Sequence, residues 1–332
     1  MKILSRRGAV RLLLLAILLA VLVVNMVAMP SPDRQEPSPD LVAARPALAS
    51  ELRADVEYLA ATIGPRYTFR AGSLPRAADY LEEAFARAGY DTSRQEYEVH
   101  GERFANVVAD RRGVRWPDAI VVVGAHYDSV PGCPGANDNA SGVAALLALA
   151  RRLADVPLDY TVRYVAFANE EPPYFQTPNM GSLQYARACR ARGDQIKSML
   201  CLETIGCFSD EPGSQRYPPV FNLLYPDRGN FIGFVGNWSN RHLVRRAIET
   251  FRRHAAIPSE GSAPPGAIPG VGWSDHWAFW QAGYPAFMVT DTAPFRYRHY
   301  HEPTDTPDRL DFERMALVVE GLVPVLRDLA TD

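Results

Sequence analysis

From Leu41 to the C-terminus the apolar positions follow two alternating rhythms. Spacings of three and four residues predict a helix over about 48–61. A second helix follows Ser73, read as its N-cap, with Leu81, Ala84, Phe85 and Ala88 on one face and Gly89 as the stop. A last helix starts near Phe312, carries Met315, Val318, Val319, Leu322, Val323 and Leu326 on one face, and meets a kink at Pro324. Between them, "SRQEYEVHG" and "FANVVADRR" read as neighbouring strands. "DAIVVVGAH" is apolar without alternation, the pattern of a strand buried on both faces. "SGVAALLALARRLA" is a helix apolar almost all round, which calls for burial against a sheet. "YTVRYVAFANEE", "SMLCLETIG" and "GYPAFMVTD" are further strands, with helices at "GSLQYARACRAR" and "HLVRRAIETFRRHA" between them.

Strands alternating with helices predict an α/β fold. The expected architecture is a single globular domain over 48–332, with a central, mostly parallel, mixed sheet covered by helices on both faces. Two long stretches break the rhythm, "CFSDEPGSQRYPPVFNLLYPDRGN" and "AAIPSEGSAPPGAIPGVGWSD". Loops of that length in a compact domain are usually functional or mobile.

The first 47 residues obey other rules. Residues 1–30 join a basic start to the apolar run Leu12–Met29, interrupted only by Asn25, and a Pro-rich linker occupies 31–47. Basic residues ahead of an apolar run of this length predict an uncleaved signal anchor, with a cleaved signal peptide as the alternative. The expected location is the inner membrane, single-pass, with the globular domain on the periplasmic or extracellular side; after cleavage it would be secreted or periplasmic. The chain of 332 residues has a formal net charge of -3, and removing the four cations Lys2, Arg6, Arg7 and Arg11 leaves a body at −7. That balance argues against a nucleic-acid partner. Cys133, Cys189, Cys201 and Cys207 form no metal-binding spacing; outside the cytoplasm they can pair in three ways.

Charged residues gather where these strands end. His126 and Asp128 close one strand, Asp138 lies in the loop after it, Glu170 and Glu171 close the next, and Glu203 the one after. His301 and Asp305 come after the strand "PAFMVTD". Open α/β sheets place ligand sites at the carboxyl ends of their strands. Each residue alone has a plain structural reading. An aspartate in "GANDNASG" makes turns and caps, and "NEEPP" is a solvated acidic turn. Glu203 sits inside an apolar strand, where a carboxylate needs a partner, and adjacent Glu170 and Glu171 repel without a nearby cation. One metal site accounts for all of them. Imidazoles and carboxylates without thiolate suit zinc, with cobalt or manganese as substitutes. Strand alternation would point Glu170 and Glu171 to opposite sides, so that one ligates while the other faces a bound water.

The motifs "GAHYDS", "PGANDNASG", "NEE", "LETIG", "SDHWAFWQAGYPAFMVTDT" and "YHEPTDTPD", in this order, resemble the zinc-dependent aminopeptidase family. That family includes bacterial leucyl aminopeptidases, glutamate carboxypeptidases and, more distantly, glutaminyl cyclases. The resemblance implies two zinc ions: His126 and Glu203 on one, Glu171 and His301 on the other, Asp138 bridging both, and Glu170 as general base. Asp128 would partner His126, Asp305 would support the loop presenting His301, and the Asp138–Asn139 peptide would be cis. Glu203 departs from the aspartate common at its position. The insertion "PPYFQTPNMGS" and Asp275 are similar to features of glutaminyl cyclases.

The implied activity is that of a metallopeptidase, foremost an aminopeptidase acting on peptides. Its alternatives are a single-zinc glutaminyl-peptide cyclotransferase and a non-catalytic metal-binding ectodomain. The two irregular loops would wall the substrate pocket, with Phe208, Tyr217, Phe221, Trp238 and Trp273 as candidates. His100, His242, His254, His276 and His299 are read as structural or surface residues.

Overall fold

In a computed structural model that describes residues 6–219 and 221–332, the apolar runs become eight strands of one mixed sheet. The side chains of residues 6–13, 16 and 19 lie outside the described set. In chain order the elements are α1 (Arg6–Val27), α2 (Pro39–Glu57), α3 (Ser73–Arg87), β1 (Thr92–Val99), β2 (Glu102–Arg111), β3 (Trp116–His126), α4 (Gly142–Leu153), β4 (Tyr160–Phe167), α5 (Gly181–Arg192), β5 (Gln195–Glu203), β6 (Ile232–Val235), α6 (Arg241–His254), β7 (Ser259–Ser262), α7 (His276–Gln281), β8 (Ala286–Thr290), α8 (Ala293–Arg296) and α9 (Phe312–Leu329).

The strand order is β1-β2-β4-β3-β5-β8-β6-β7. The four central strands run parallel. Antiparallel pairings attach β1–β2 on one side and β6–β7 on the other. β3 lies in the middle, and its residues 119–126 are all buried, which explains its unbroken apolar pattern. One sheet face packs α4 together with residues of α2, α3, α6 and α9, using Val121, Val123, Leu200, Leu202 and Val289. The other presents Ile120, Val122, Phe167, Cys201 and Met288 to α5 and α7. α4 comes so close to β5 that a Cβ on Gly142 would lie 2.6 Å from the Leu202 carbonyl oxygen; only glycine permits that approach.

Several elements differ from the sequence expectation. The helix expected from about Leu48 begins at Pro39, with the Ser38 hydroxyl accepting from the Leu41 N–H. Ser73 is the first residue of its helix and not the cap; its hydroxyl donates to the Arg70 carbonyl. Strands β6 and β7, four residues each, flank α6 beside the two irregular loops. All four cysteines are free.

The expected membrane segment falls partly outside the described residues, and among those described no helix is long and apolar enough to cross a membrane. The end of α1 and the first residues beyond it are docked on the domain. Met26 accepts from the Ala263 N–H at 3.0 Å, Arg252 donates to the Pro30 carbonyl at 2.8 Å, and Met29 packs on the core.

Candidate metal centre

Two imidazoles and four carboxylates meet at the C-terminal edge of β3 and β5. His126 Nε2 lies 3.3 Å from Asp138 Oδ1 and 3.2 Å from Glu203 Oε2. His301 Nε2 lies 3.1 Å from Asp138 Oδ2 and 3.3 Å from Glu171 Oε2. Asp138 thus turns one oxygen to each histidine–glutamate pair. Glu170 stands beside the first pair, 4.0 Å from His126 Nε2.

These groups fit a cation. His126 Nδ1 and Nε2, Asp138 Oδ1, Glu171 Oε1 and His301 Nε2 are buried without a hydrogen-bond partner. Buried polar atoms are rarely left unsatisfied, so five in one cluster point to a ligand. His126, Asp138 and Glu171 each present a ligand atom within 4.8 Å of the others. The electrostatics agree. Burial and the Asp138 charge push Glu171 up to about 8. Burial, then Glu171 and Glu203, hold Glu170 well above the usual carboxylate range. Burial opposes protonation of His126, but Glu203 and Glu170 overcome it and raise its pKa. His301 rises to about 10 because Asp138 and Glu171 outweigh its burial. Without a cation the cluster keeps protons to offset its negative charge.

The ligands are presented by turns with positive φ. Asn169 (56°) precedes Glu170, Thr204 (50°) comes directly after Glu203, and His301 itself sits at 61°. Non-glycine residues in that region concentrate at functional sites. β4 ends at Phe167, so strand alternation does not orient Glu170 and Glu171, contrary to the sequence expectation. Asp128 orients them: its oxygens accept from the Glu170 N–H at 3.1 Å and the Glu171 N–H at 3.0 Å. Its distance to His126 Nδ1 is 3.5 Å. Asp305 supports more than its own loop. It accepts from the backbone N–H groups of Asn137 (2.8 Å) and Asp138 (3.1 Å) and from the Tyr297 hydroxyl (2.9 Å). The Asp138–Asn139 peptide is cis. Asn139 then ties the loop to β5: its amide donates to the Leu202 carbonyl at 2.9 Å, and its oxygen accepts from the Thr204 N–H at 3.1 Å.

Sequence reasoning missed four supports. Arg66 is fully buried, and its guanidinium donates to the carbonyls of Leu59, Gly64, Tyr127, Pro134 and Gly135, clamping the loop between His126 and Asp138. Asp291 accepts from Asn137, Thr204 and the Cys207 N–H. Ser274 donates to Glu203 Oε2 at 2.6 Å. The Tyr300 ring stacks on His301 at 3.9 Å between centroids. Only the polar residues inside the "DT" and "SDH" motifs offered any signal for the second and third.

Beside the centre opens an apolar cleft. Glu203, Thr204 and Tyr300 form its inner end, and Tyr217, Phe221 and Trp273 are among its walls. Phe208 lies outside it, near Arg296 and Arg314. Trp238 packs with Arg241. His299 faces solvent and bonds Thr304, away from the centre. Asp275 is buried with neither oxygen paired, and burial raises it to about 7.

Known proteins show the same arrangement of chain. The model described as Peptidase family M28 matches residues 106–325. Over 291 residues the chain is 40% identical to the uncharacterized protein YfbL of Escherichia coli, across 85% of this chain and 88% of that one. Over 159 residues it is 33% identical to an aminopeptidase of Pseudomonas aeruginosa, across 47% of this chain and 26% of the other. Its fold is similar to that of a zinc aminopeptidase from Bacillus subtilis, with a TM-score of 0.68 at 15% identity, covering 86% of this chain and 95% of that one. It is also similar to Porphyromonas gingivalis glutaminyl cyclase, with a TM-score of 0.63 at 18% identity, covering 84% and 98%.

Proposed function

The chain belongs to peptidase family M28 and is a metallopeptidase, and from that premise we propose that it is a membrane-anchored, exported aminopeptidase working with two zinc ions. The observation that carries this is the split of Asp138, one oxygen toward His126 and Glu203, the other toward His301 and Glu171. Those five residues would hold the ions, Asp138 bridging. Zinc bound there supplies Lewis acidity and an acidified water.

The remaining chemistry belongs to the chain. Glu170 is the carboxylate left outside the two histidine pairs and near one of them, the placement of a general base. It takes a proton from water and returns it to the leaving amine. Asp128 sets its position through the backbone, so that Glu170 and Glu171 hold separate roles despite being neighbours. Ser274 steadies Glu203, whose extra methylene over aspartate would otherwise add freedom. Burial of every member except partly exposed His301 keeps bulk water out.

For anchoring, support comes from α1, where Leu14, Leu15, Ile17, Leu18, Val21 and Leu22 are exposed, an apolar surface that a bilayer would cover. A second reading, cyclisation of N-terminal glutamine, is favoured by one feature: the unpaired buried carboxyl of Asp275 beside the centre.

One panel separates the readings. The purified protein is assayed on aminoacyl anilides, dipeptides and a glutaminyl peptide, with zinc counted per chain. Anilide hydrolysis with two zincs supports the first reading. One zinc with release of a pyroglutamyl product replaces it by the second.

A further inference from the structure

The cleft beside the metal centre is built on a single transverse row of the sheet. Glu203 on β5 pairs with Thr290 on β8, Thr290 with Gly233 on β6, and Gly233 with Glu260 on β7. Directly paired residues point to the same face, so both glutamates rise from the same floor. The next row, Met288, Val235 and Ser262, extends that floor, and all seven residues line the cleft. Three strand spacings put the two glutamate Cα atoms about 14 Å apart. Between them stands Gly233. Its φ is not positive, so conformation does not demand glycine, but a Cβ there would press on the Thr290 carbonyl oxygen at 3.2 Å, a contact that the neighbouring strand would have to relieve by a small shift. What the missing side chain provides is an open channel from the centre to Glu260.

The far end of this channel is anionic within apolar walls. Tyr217 and Phe221 each stack with Tyr225, at 5.7 and 6.2 Å between centroids. The tyrosine hydroxyls are already committed to the Pro226 and Gly261 carbonyls, which leaves the ring faces to line the cleft. The nearest cation to Glu260 is Arg252, at 3.8 Å, and it directs its hydrogen bonds to Ser259 and the Pro30 carbonyl. A partly buried carboxylate held that loosely, among aromatic faces, suits a second cation.

We propose that Glu260 makes this cleft select peptides whose N-terminal residue carries a long side chain ending in a cation, lysine or arginine. The proposal rests on the aminopeptidase reading and deepens it. The methylenes of such a side chain cover Val235, Met288 and the aromatic walls across the gap left by Gly233, and the head group reaches Glu260. A leucine side chain stops short and leaves that carboxylate unanswered.

The test compares lysyl, arginyl, leucyl and alanyl anilides on the wild type, Glu260→Gln and Gly233→Val, with lysinamide and leucinamide binding measured in parallel by calorimetry. The wild type is expected to prefer lysyl and arginyl substrates. Glu260→Gln should lower the lysyl-to-leucyl ratio of kcat/KM by about 10- to 100-fold, the loss of a charge-assisted contact. Gly233→Val should penalise lysyl, arginyl and leucyl substrates relative to alanyl. An unchanged lysyl-to-leucyl ratio in Glu260→Gln overturns the proposal, as does a wild-type preference for leucyl. If no anilide is hydrolysed, the aminopeptidase reading falls, and calorimetry decides the pocket alone: lysinamide binding lost in Glu260→Gln upholds it, and equal binding of the two amides refutes it.

Discussion

The two halves of the sheet's functional edge are built in opposite ways. Around β3, β4 and β5 the site is charged and buried, and short local motifs carry four of the five proposed ligands, each at a strand end or in the loop after it; His301 alone reaches in from the segment after β8 and α8. Around β8, β6 and β7 the site is apolar and open. Its floor comes from strands of four and five residues and its walls from two long loops. On the reading proposed here, chemistry resides in the first half and choice of substrate in the second. Damage to the first should therefore abolish turnover, and damage to the second should redistribute it.

The sharpest break is Glu170→Gln. It keeps the shape but not the proton transfer, and should lose about 10²-fold or more in turnover while holding its zinc. Glu171→Gln should instead lose metal and recover partly with excess zinc, because an amide is a poor ligand. Metal analysis beside kinetics distinguishes them; rescue of Glu170→Gln by zinc would mean that the roles are exchanged. Chelation should stop turnover entirely yet leave the far-ultraviolet circular dichroism in place, since the core of the sheet is apolar and independent of the metal.

Next in size is Arg66→Ala, which removes five hydrogen bonds from a buried guanidinium to backbone carbonyls, those of Leu59 and Gly135 keeping a backbone donor and the others losing the arginine. A loss of roughly 3–5 kcal/mol in urea unfolding is expected. Asp305→Asn should cost about 10- to 100-fold in metal affinity, because it supports the Asp138 loop without binding metal itself. On the cleft side Phe221→Ala should raise KM a few-fold and leave stability and zinc content close to wild type; an equal fall in kcat for all substrates would contradict the division between the halves.

The smallest effect is one of pH. His276 is fully buried, its Nε2 lies 2.7 Å from the carbonyl of Val271 in the cleft wall, and burial lowers its pKa to about 4. A histidine held neutral contributes stability that is present above its unfolded pKa near 6.5. That contribution is lost as the pH falls through 6.5 toward 4. Melting temperatures across this range should drop in the wild type and less steeply in His276→Gln. An identical slope in the two would exclude this histidine as the cause.

The chain alone was legible where function depends on local order. His126, Asp138, Glu170, Glu171, Glu203 and His301 stood out as a group because imidazoles and carboxylates gather at apolar strand ends and in the loops after them; which of them ligate came from the family resemblance. The apolar strands and the all-round apolar helix likewise announced a layered sheet. β6 and β7 were not legible. "IGFV" and "SEGS" are too short to show a period; the first becomes a strand on the edge of β8, and the second on the edge of the first. Arg66 reads as any surface arginine until the fold surrounds it with carbonyls. Nor could alternation place Glu170 and Glu171, since β4 ends before them and Asp128, 42 residues away, takes over.

The row from Glu203 through Thr290 and Gly233 to Glu260 marks the boundary. Residue types at strand ends and in the loops after them, properties of neighbouring positions, marked out the side chains that gather at the centre, and the family resemblance assigned the ligands among them. The distance from that cluster to Glu260, and the open floor between them, exist only through register among four strands separated by long loops. No local pattern encodes register between distant strands, so tertiary packing alone decided it.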